Sequence, residues 1–333
     1  MKKRLFQGLG VFLLVLAVGC GKESKTNFTQ KDINIVPKPL EMKFNQGAFR
    51  FTKDTKLVVD KDKAHVLEVL QNKFVSAAGW KLEAVEKAPS RNFVLLSIDP
   101  SLAEEDYDLK VTDDQVIIKA QGYNGFLYGL ETIRQLLPVA IESKSVVTNI
   151  NWDIPHVEIK DSPRFKWRGF MLDVSRHFFD KNYVLATIDQ LALLKMNTLH
   201  LHLVDDQGWR IEIKKYPKLT EIGGFRVDQE DKSWNARPTA ELGTNATYGG
   251  FYTQEDIKEI VAYAESRGVT VVPEIEMPAH VMSAIAAYPE LSCFQNPIMV
   301  PSGGVWPINF RVFGERFIGG DGIVSLTIHS CRR

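Results

Sequence analysis

Three short segments of the 333-residue chain carry most of the side chains able to do chemistry. They are Asp173-Val174-Ser175-Arg176-His177, Asp205-Asp206-Gln207-Gly208-Trp209-Arg210 and Pro273-Glu274-Ile275-Glu276-Met277-Pro278-Ala279-His280. Each follows a short apolar run, so each stands where a buried strand ends. Carboxylates and guanidinium groups form charge-assisted hydrogen bonds, and an indole offers a flat apolar face for the C–H side of a sugar ring. The five carboxylates Asp173, Asp205, Asp206, Glu274 and Glu276, with Arg176, His177, His280 and Trp209, therefore read together as a sugar-binding surface. Blander readings stand beside this one. Arg176 also reads as a buried ion-pair partner of Asp173. His200-x-His202 points two imidazoles one way from a strand, but no third ligand follows at a diagnostic spacing. Packing accounts for that pair, and neither a metal nor another cofactor is expected. Glu274-x-Glu276 aims two carboxylates together and reads as a hydrolytic pair or as supporting structure.

Strands and helices must hold these segments. Residues 168–174, 197–203 and 269–272 read as strands, and 181–195 as a helix with Val184, Ile188, Leu191 and Ala192 on one side. Thr253 and Asp256 form a capping box for a second helix, with Ile257, Ile260, Val261 and Ala264 on its apolar face and Gly268 closing it. Repeated β-α-β-α with parallel strands implies a barrel or a doubly wound sheet. Chemistry at the strand ends favours the barrel, whose sites form at the C-terminal ends of its strands. Upstream, 57–59 and 93–96 read as strands, 107–111 and 115–119 as a hairpin around Thr112-Asp113-Asp114, and 64–78 and 124–137 as helices. No chemical constellation appears there. The expected fold is α/β, a partial (β/α)8 barrel over 161–308 preceded by a smaller α+β accessory domain over 33–160.

Residues 168–178, 200–210 and 273–280 resemble, in order, three successive signatures of glycoside hydrolase family 20, the β-N-acetylhexosaminidases. The resemblance covers roughly 33–307. It implies exo-hydrolysis of terminal β-linked N-acetylglucosamine or N-acetylgalactosamine from glycans, by a retaining mechanism in which the substrate's acetamido group assists. It makes Arg176 a ligand for hydroxyls of the terminal sugar, and Asp205 and His280 a network supporting the catalytic acid. Trp209 and Arg210 would shape the strand exit, and Glu276 would support. The family's catalytic Asp-Glu pair follows a Gly-Gly at the end of the fourth strand. This chain offers only Ile318-Gly319-Gly320-Asp321, with Gly322 where the acid would stand. That match reads as chance, and no catalytic acid is found. A complete barrel takes about 250 residues, more than 161–333 provides. The expectation is a truncated, inactive product with an aberrant tail over 309–333, and poor solubility from an open barrel. The alternatives are a non-catalytic sugar-binding lipoprotein or a non-functional fragment.

Lys+Arg and Asp+Glu both number 41, and this balance argues against a nucleic-acid partner. Three cysteines, Cys20, Cys293 and Cys331, make neither a paired framework nor a zinc pattern. The start is a leader: Met1-Lys2-Lys3-Arg4, an apolar run over 11–18, then Ala17-Val18-Gly19-Cys20, which resembles a lipobox. Residues 1–20 are expected to be a signal peptide, Cys20 the lipidated residue and 21–32 a polar tether. The chain would then be exported and membrane-anchored, in the periplasm or at the outer membrane.

Overall fold

The computed structural model describes residues 25–277, 279–292 and 295–304. The leader, Cys20, Cys293, Cys331, Pro278 and the 309–333 tail lie outside the described residues. The first unit contains β1 (Glu41–Arg50), β2 (Lys56–Val58), α1 (Glu68–Ala78), β3 (Glu83–Val85), β4 (Phe93–Ile98), β5 (Tyr107–Val111), β6 (Gln115–Ala120), α2 (Tyr123–Leu136) and β7 (Asp153–Asp161). Its strands form one mixed sheet in the order β1-β7-β5-β6-β4-β2-β3. Alternation drives it: Tyr107, Leu109 and Val111 are buried in β5 while Asp108 and Lys110 face outward. The expected hairpin is β5–β6, antiparallel from Tyr107↔Ala120 to Val111↔Val116. The helix expected over 64–78 begins as a 3-10 turn through Leu67 and becomes α1 at Glu68. β1 and β7 have no counterpart in the sequence reading. Pro155 cannot donate to a ladder, and it pairs with Ala48 beside a bulge in β1, where proline is tolerated.

The second unit contains β8 (Gly169–Asp173), α3 (Lys181–Leu193), β9 (Thr198–His202), β10 (Val204–Asp205), β11 (Gly208–Trp209), α4 (Lys218–Glu221), β12 (Phe225–Arg226), β13 (Tyr248–Gly249), α5 (Gln254–Glu265), β14 (Thr270–Glu274) and α6 (Met282–Ala287). β8, β9 and β14 are parallel neighbours with α3 and α5 as crossovers, the partial barrel that the β-α alternation implied. Asp180 caps α3 by accepting from the Tyr183 amide, and Thr253 and Asp256 form the capping box of α5. Leu172, Leu199 and Leu201 pack against Val184, Ile188, Leu191, Ile260 and Ala264. Each such leucine, isoleucine or valine, fully buried, contributes about 1.5–3 kcal/mol. The stretch after His280 forms α6.

The two units meet at the N-terminal ends of the barrel strands. Arg168, just before β8, donates to Glu105 at 2.8 and 3.1 Å and to the Tyr128 hydroxyl at 2.7 Å. Asn197, just before β9, also donates to Glu105, and Lys195 Nζ donates to the Tyr107 hydroxyl and to Asp161. Helix α2 lies between the sheet and this base, which is why it is buried on nearly every side. The C-terminal strand ends are left clear.

One expectation needs correction. The tether over 21–32 is docked from Lys25 onward. Lys25 Nζ lies 2.8 Å from Asp113 Oδ1, and both the amide and the hydroxyl of Thr26 donate to Asp153 Oδ2. Asp153 is fully buried and also holds Arg50, so a polar-looking segment is fixed by one hidden carboxylate.

Candidate active site

Strand register brings the first row of groups together. Asp173, His202 and Glu274 are cross-strand partners at the C-terminal ends of β8, β9 and β14. His202 Nδ1 lies 2.5 Å from Glu274 Oε2, and Nε2 lies 3.2 Å from Asp205 Oδ2. His200, on the same face of β9, places Nε2 2.7 Å from the same Glu274 oxygen. Asp173 accepts from the amides of Ser175 and Arg176, a tight turn that folds the Arg176 side chain back over the strand ends. The guanidinium then spans two carboxylates, 2.8 Å from Asp173 Oδ2 and 2.5 Å from Asp205 Oδ2. Arg176 is thus an ion-pair partner of Asp173, as its blander reading had it, yet its side chain keeps 34% exposure toward the mouth.

His280 completes the cluster from the third segment. Its backbone is left-handed at φ 53, a conformation uncommon outside glycine and enriched at functional sites. Its Nδ1 stands 3.3 Å from Asp205 Oδ1 and 3.5 Å from Asp206 Oδ2. Asp205 also accepts from the Asp206 amide at 2.6 Å, and Asp206 accepts from the Met282 amide at the start of α6. Arg176 and His280 therefore converge on the Asp205 carboxylate. A separate hollow of about 350 Å³, lined by residues including Ile222, Phe225 and Val300, contains none of them.

Charge in the cluster is finely divided. Donation to Asp205 raises His202 to about 9, against the opposing effect of burial and with help from Glu274, so the ring is cationic at neutral pH. Burial pushes Asp205 upward, but His202, the Asp206 amide and Arg176 together hold it below the usual carboxylate range. Burial and the neighbouring Asp205 raise Asp206 instead. The His202 hydrogen bond lowers Glu274, while burial and the contact with Glu274 raise Glu276, so the two carboxyls are pushed apart in acidity. Burial works against the Arg176 charge, and Asp173 and Asp205 more than offset it.

Trp209 departs from the sugar-platform expectation. Its indole is 3% exposed, packed in the barrel core, and donates to the Ile211 carbonyl, so it offers no open face at the mouth. Arg210 is wholly buried and donates to the carbonyls of Val174, Ser175, Gly224 and Gly250. It ties the exits of β8 and β11 to the excursion over 211–252. Gly208 is required beneath it, because a Cβ there would lie 2.2 Å from the guanidinium.

Two sets could in principle hold a metal by proximity, His202 with Glu274 and Glu276, and Asp205 with Asp206 and His280. In the first, both His202 ring nitrogens already face carboxylates, Nδ1 that of Glu274 and Nε2 that of Asp205. In the second, Asp205 is engaged by Arg176 and His202. The sequence reading assigns His202 to packing and Glu274 to a hydrolytic pair or support, whereas the structure places both at the centre of the cluster. The alternating His200-x-His202 and Glu274-x-Glu276 at strand ends was the available signal, since alternate residues share a face.

Similarity to known proteins follows this geometry. The model of glycosyl hydrolase family 20, catalytic domain, matches residues 165–309, and that of family 20, domain 2, matches 32–162. A beta-hexosaminidase of Porphyromonas gingivalis is 38% identical over 299 residues, 88% of this chain and 37% of that protein. An N,N'-diacetylchitobiase of Vibrio harveyi is 40% identical over 183 residues, 54% of this chain and 20% of that protein. The solved GH20 beta-N-acetylhexosaminidase from Streptomyces coelicolor superposes with a TM-score of 0.72 at 35% identity, over 82% of this chain and 52% of that one. The beta-N-acetylhexosaminidase from Bacteroides fragilis gives 0.67 at 34%, over 81% and 49%. The chain spans about half or less of the length of these relatives.

Proposed function

Because the chain belongs to glycosyl hydrolase family 20, we propose that its barrel mouth receives the terminal β-linked N-acetylhexosamine of a glycan, and that the whole protein serves exo-hydrolysis of such ends. The observation that carries this reading is Arg176 held between Asp173 and Asp205 at the strand ends. Two carboxylates fix the guanidinium, and its part-exposed edge is left to donate to sugar hydroxyls.

The same geometry fits a reaction in which the substrate supplies the nucleophile. Glu274 and Glu276 come from the same strand end with carboxylate oxygens within 4.8 Å, so they approach a sugar from one side and do not flank a glycosidic bond. In the substrate-assisted route the acetamido oxygen attacks the anomeric carbon, and a carboxyl group protonates the leaving oxygen. Asp173 and Asp205 are engaged by Arg176, and Glu274 by His202, so these three carboxylates serve to position the cluster. A second reading is a sugar-binding lipoprotein without turnover, in which Arg176 held by its two carboxylates binds sugar hydroxyls and nothing more.

Two assays on the full chain separate these readings. Calorimetry with N-acetylglucosamine tests the mouth, and binding that survives Arg176→Ala unchanged refutes it. Hydrolysis of a chromogenic N-acetyl-β-glucosaminide tests turnover, and its presence refutes the binding-only reading. We also propose that Cys20 is lipidated and that the chain is exported to a membrane. Among the described residues no helix is long and apolar enough to cross one. Incorporation of labelled palmitate that persists in Cys20→Ala refutes the anchor.

A further inference from the structure

We propose that the first domain is an oriented spacer: the sheet end carrying Lys25, Asp113 and Asp153 lies against a lipid surface, and the barrel mouth stands off from it. This rests on the lipid anchor at Cys20 and adds a direction to it. The argument begins with where the chain is first pinned. Thr26 gives both its amide and its hydroxyl to the buried Asp153 carboxylate at 2.7 and 2.8 Å, and Lys25 pairs with Asp113 at 2.8 Å. Arg50 closes on the same Asp153 carboxylate, at 2.6 Å to one oxygen and 2.9 Å to the other. Burial opposes the Asp153 charge, yet Arg50 and Thr26 outweigh it and keep the carboxylate ionised. The docking is therefore held by charge-assisted bonds.

Five peptide steps separate Cys20 from Lys25. Fully extended, they span at most about 18 Å, whatever conformation they take. A lipid on Cys20 thus holds the Lys25 end of the sheet within that distance of the bilayer. Had the segment been loose to the first buried residue, Ile33, the allowance would be more than twice as long.

The topology says which end this is. Asp153 begins β7 and Arg50 ends β1, while Asp113 sits in the turn between β5 and β6. The barrel latch, Tyr107 and Asp161 with Lys195, is at the opposite end of the same strands. The nine residues of β7 put about 26 Å between the two ends. From the latch, β8 runs a further 13–16 Å or so before Asp173 and Arg176. The mouth thus lies on the face of the barrel turned from the first domain. A substrate chain can reach it without passing between protein and membrane.

The test uses the lipidated full chain in phosphatidylethanolamine–phosphatidylglycerol vesicles that carry an acceptor dye on the headgroups. Cys293 and Cys331 are changed to serine, and a donor dye is placed at Asp114→Cys or, on the mouth-side excursion, at Asp231→Cys. Energy transfer is expected to be several-fold stronger from position 114 than from 231. Thr26→Pro, which removes both donors to Asp153, should lower transfer from 114. Equal transfer from both positions, or no response to Thr26→Pro, overturns the orientation. Vesicle association that survives Cys20→Ala defeats the anchor itself, a failure distinguishable from equal transfer in a chain that does require Cys20.

Discussion

His202 offers the sharpest test of the electrostatic account. Its folded value of about 9 lies above its ordinary 6.5, so folding favours the protonated ring. The stabilisation is fully present below about pH 6.5 and is lost as pH rises through about 9. At about 1.4 kcal/mol per pH unit, the full difference corresponds to roughly 3 kcal/mol. The ring is only 5% exposed, so solvent screening removes little; 2–3 kcal/mol is the order of magnitude expected at the bench. The perturbation is His202→Gln, which keeps a polar side chain but cannot titrate. Urea unfolding of both proteins from pH 6 to 9.5 should show the wild-type advantage shrinking by about that amount. Asp205 sets the acid limit: its lowered value gives stability that is present above its ordinary 3.8 and lost as pH falls through the folded value. An advantage that stays flat to within about 0.5 kcal/mol from pH 6 to 9.5 would show that His202 is neutral in the fold, and the charge assignment of the whole cluster would fall with it.

Three further outcomes follow from the same contacts. Arg210→Ala strands several buried carbonyls and should cost on the order of 3–5 kcal/mol in denaturant melts. Arg210→Lys should not restore that loss, since one ammonium cannot reach the same fork of acceptors; full rescue by Lys would refute the stitching role. Thr253→Ala removes the cap of α5 and should cost about 1 kcal/mol, read as a shifted urea midpoint. Glu105→Gln leaves Arg168 without its carboxylate at the domain junction. Proteolysis between the two units, near residues 162–167, should become faster, while sugar binding at the mouth holds, because that cluster shares no partner with Glu105.

The sequence alone determined the elements whose signals are local. The caps of α5, the β5–β6 hairpin, the apolar stripe of α3 and the placing of three carboxylate-bearing segments at strand ends all arise from residues two to four positions apart, the range over which backbone geometry repeats. The same segments, long and in order, were specific enough to point to the family. Tertiary structure alone decided what depends on distant partners. β1 and β7 pair across about a hundred residues of chain, and neither alternates cleanly enough to declare itself. The row of Asp173, His202 and Glu274 is a matter of strand register, which no single strand encodes. Trp209 is apolar enough for either a platform or a core, and only packing assigns it to the core. Residues 25–32 look like a free polar linker until the buried Asp153 is seen beneath Thr26. A side chain's type fixes what bonds it can make; which bonds it does make is set by the neighbours that folding brings.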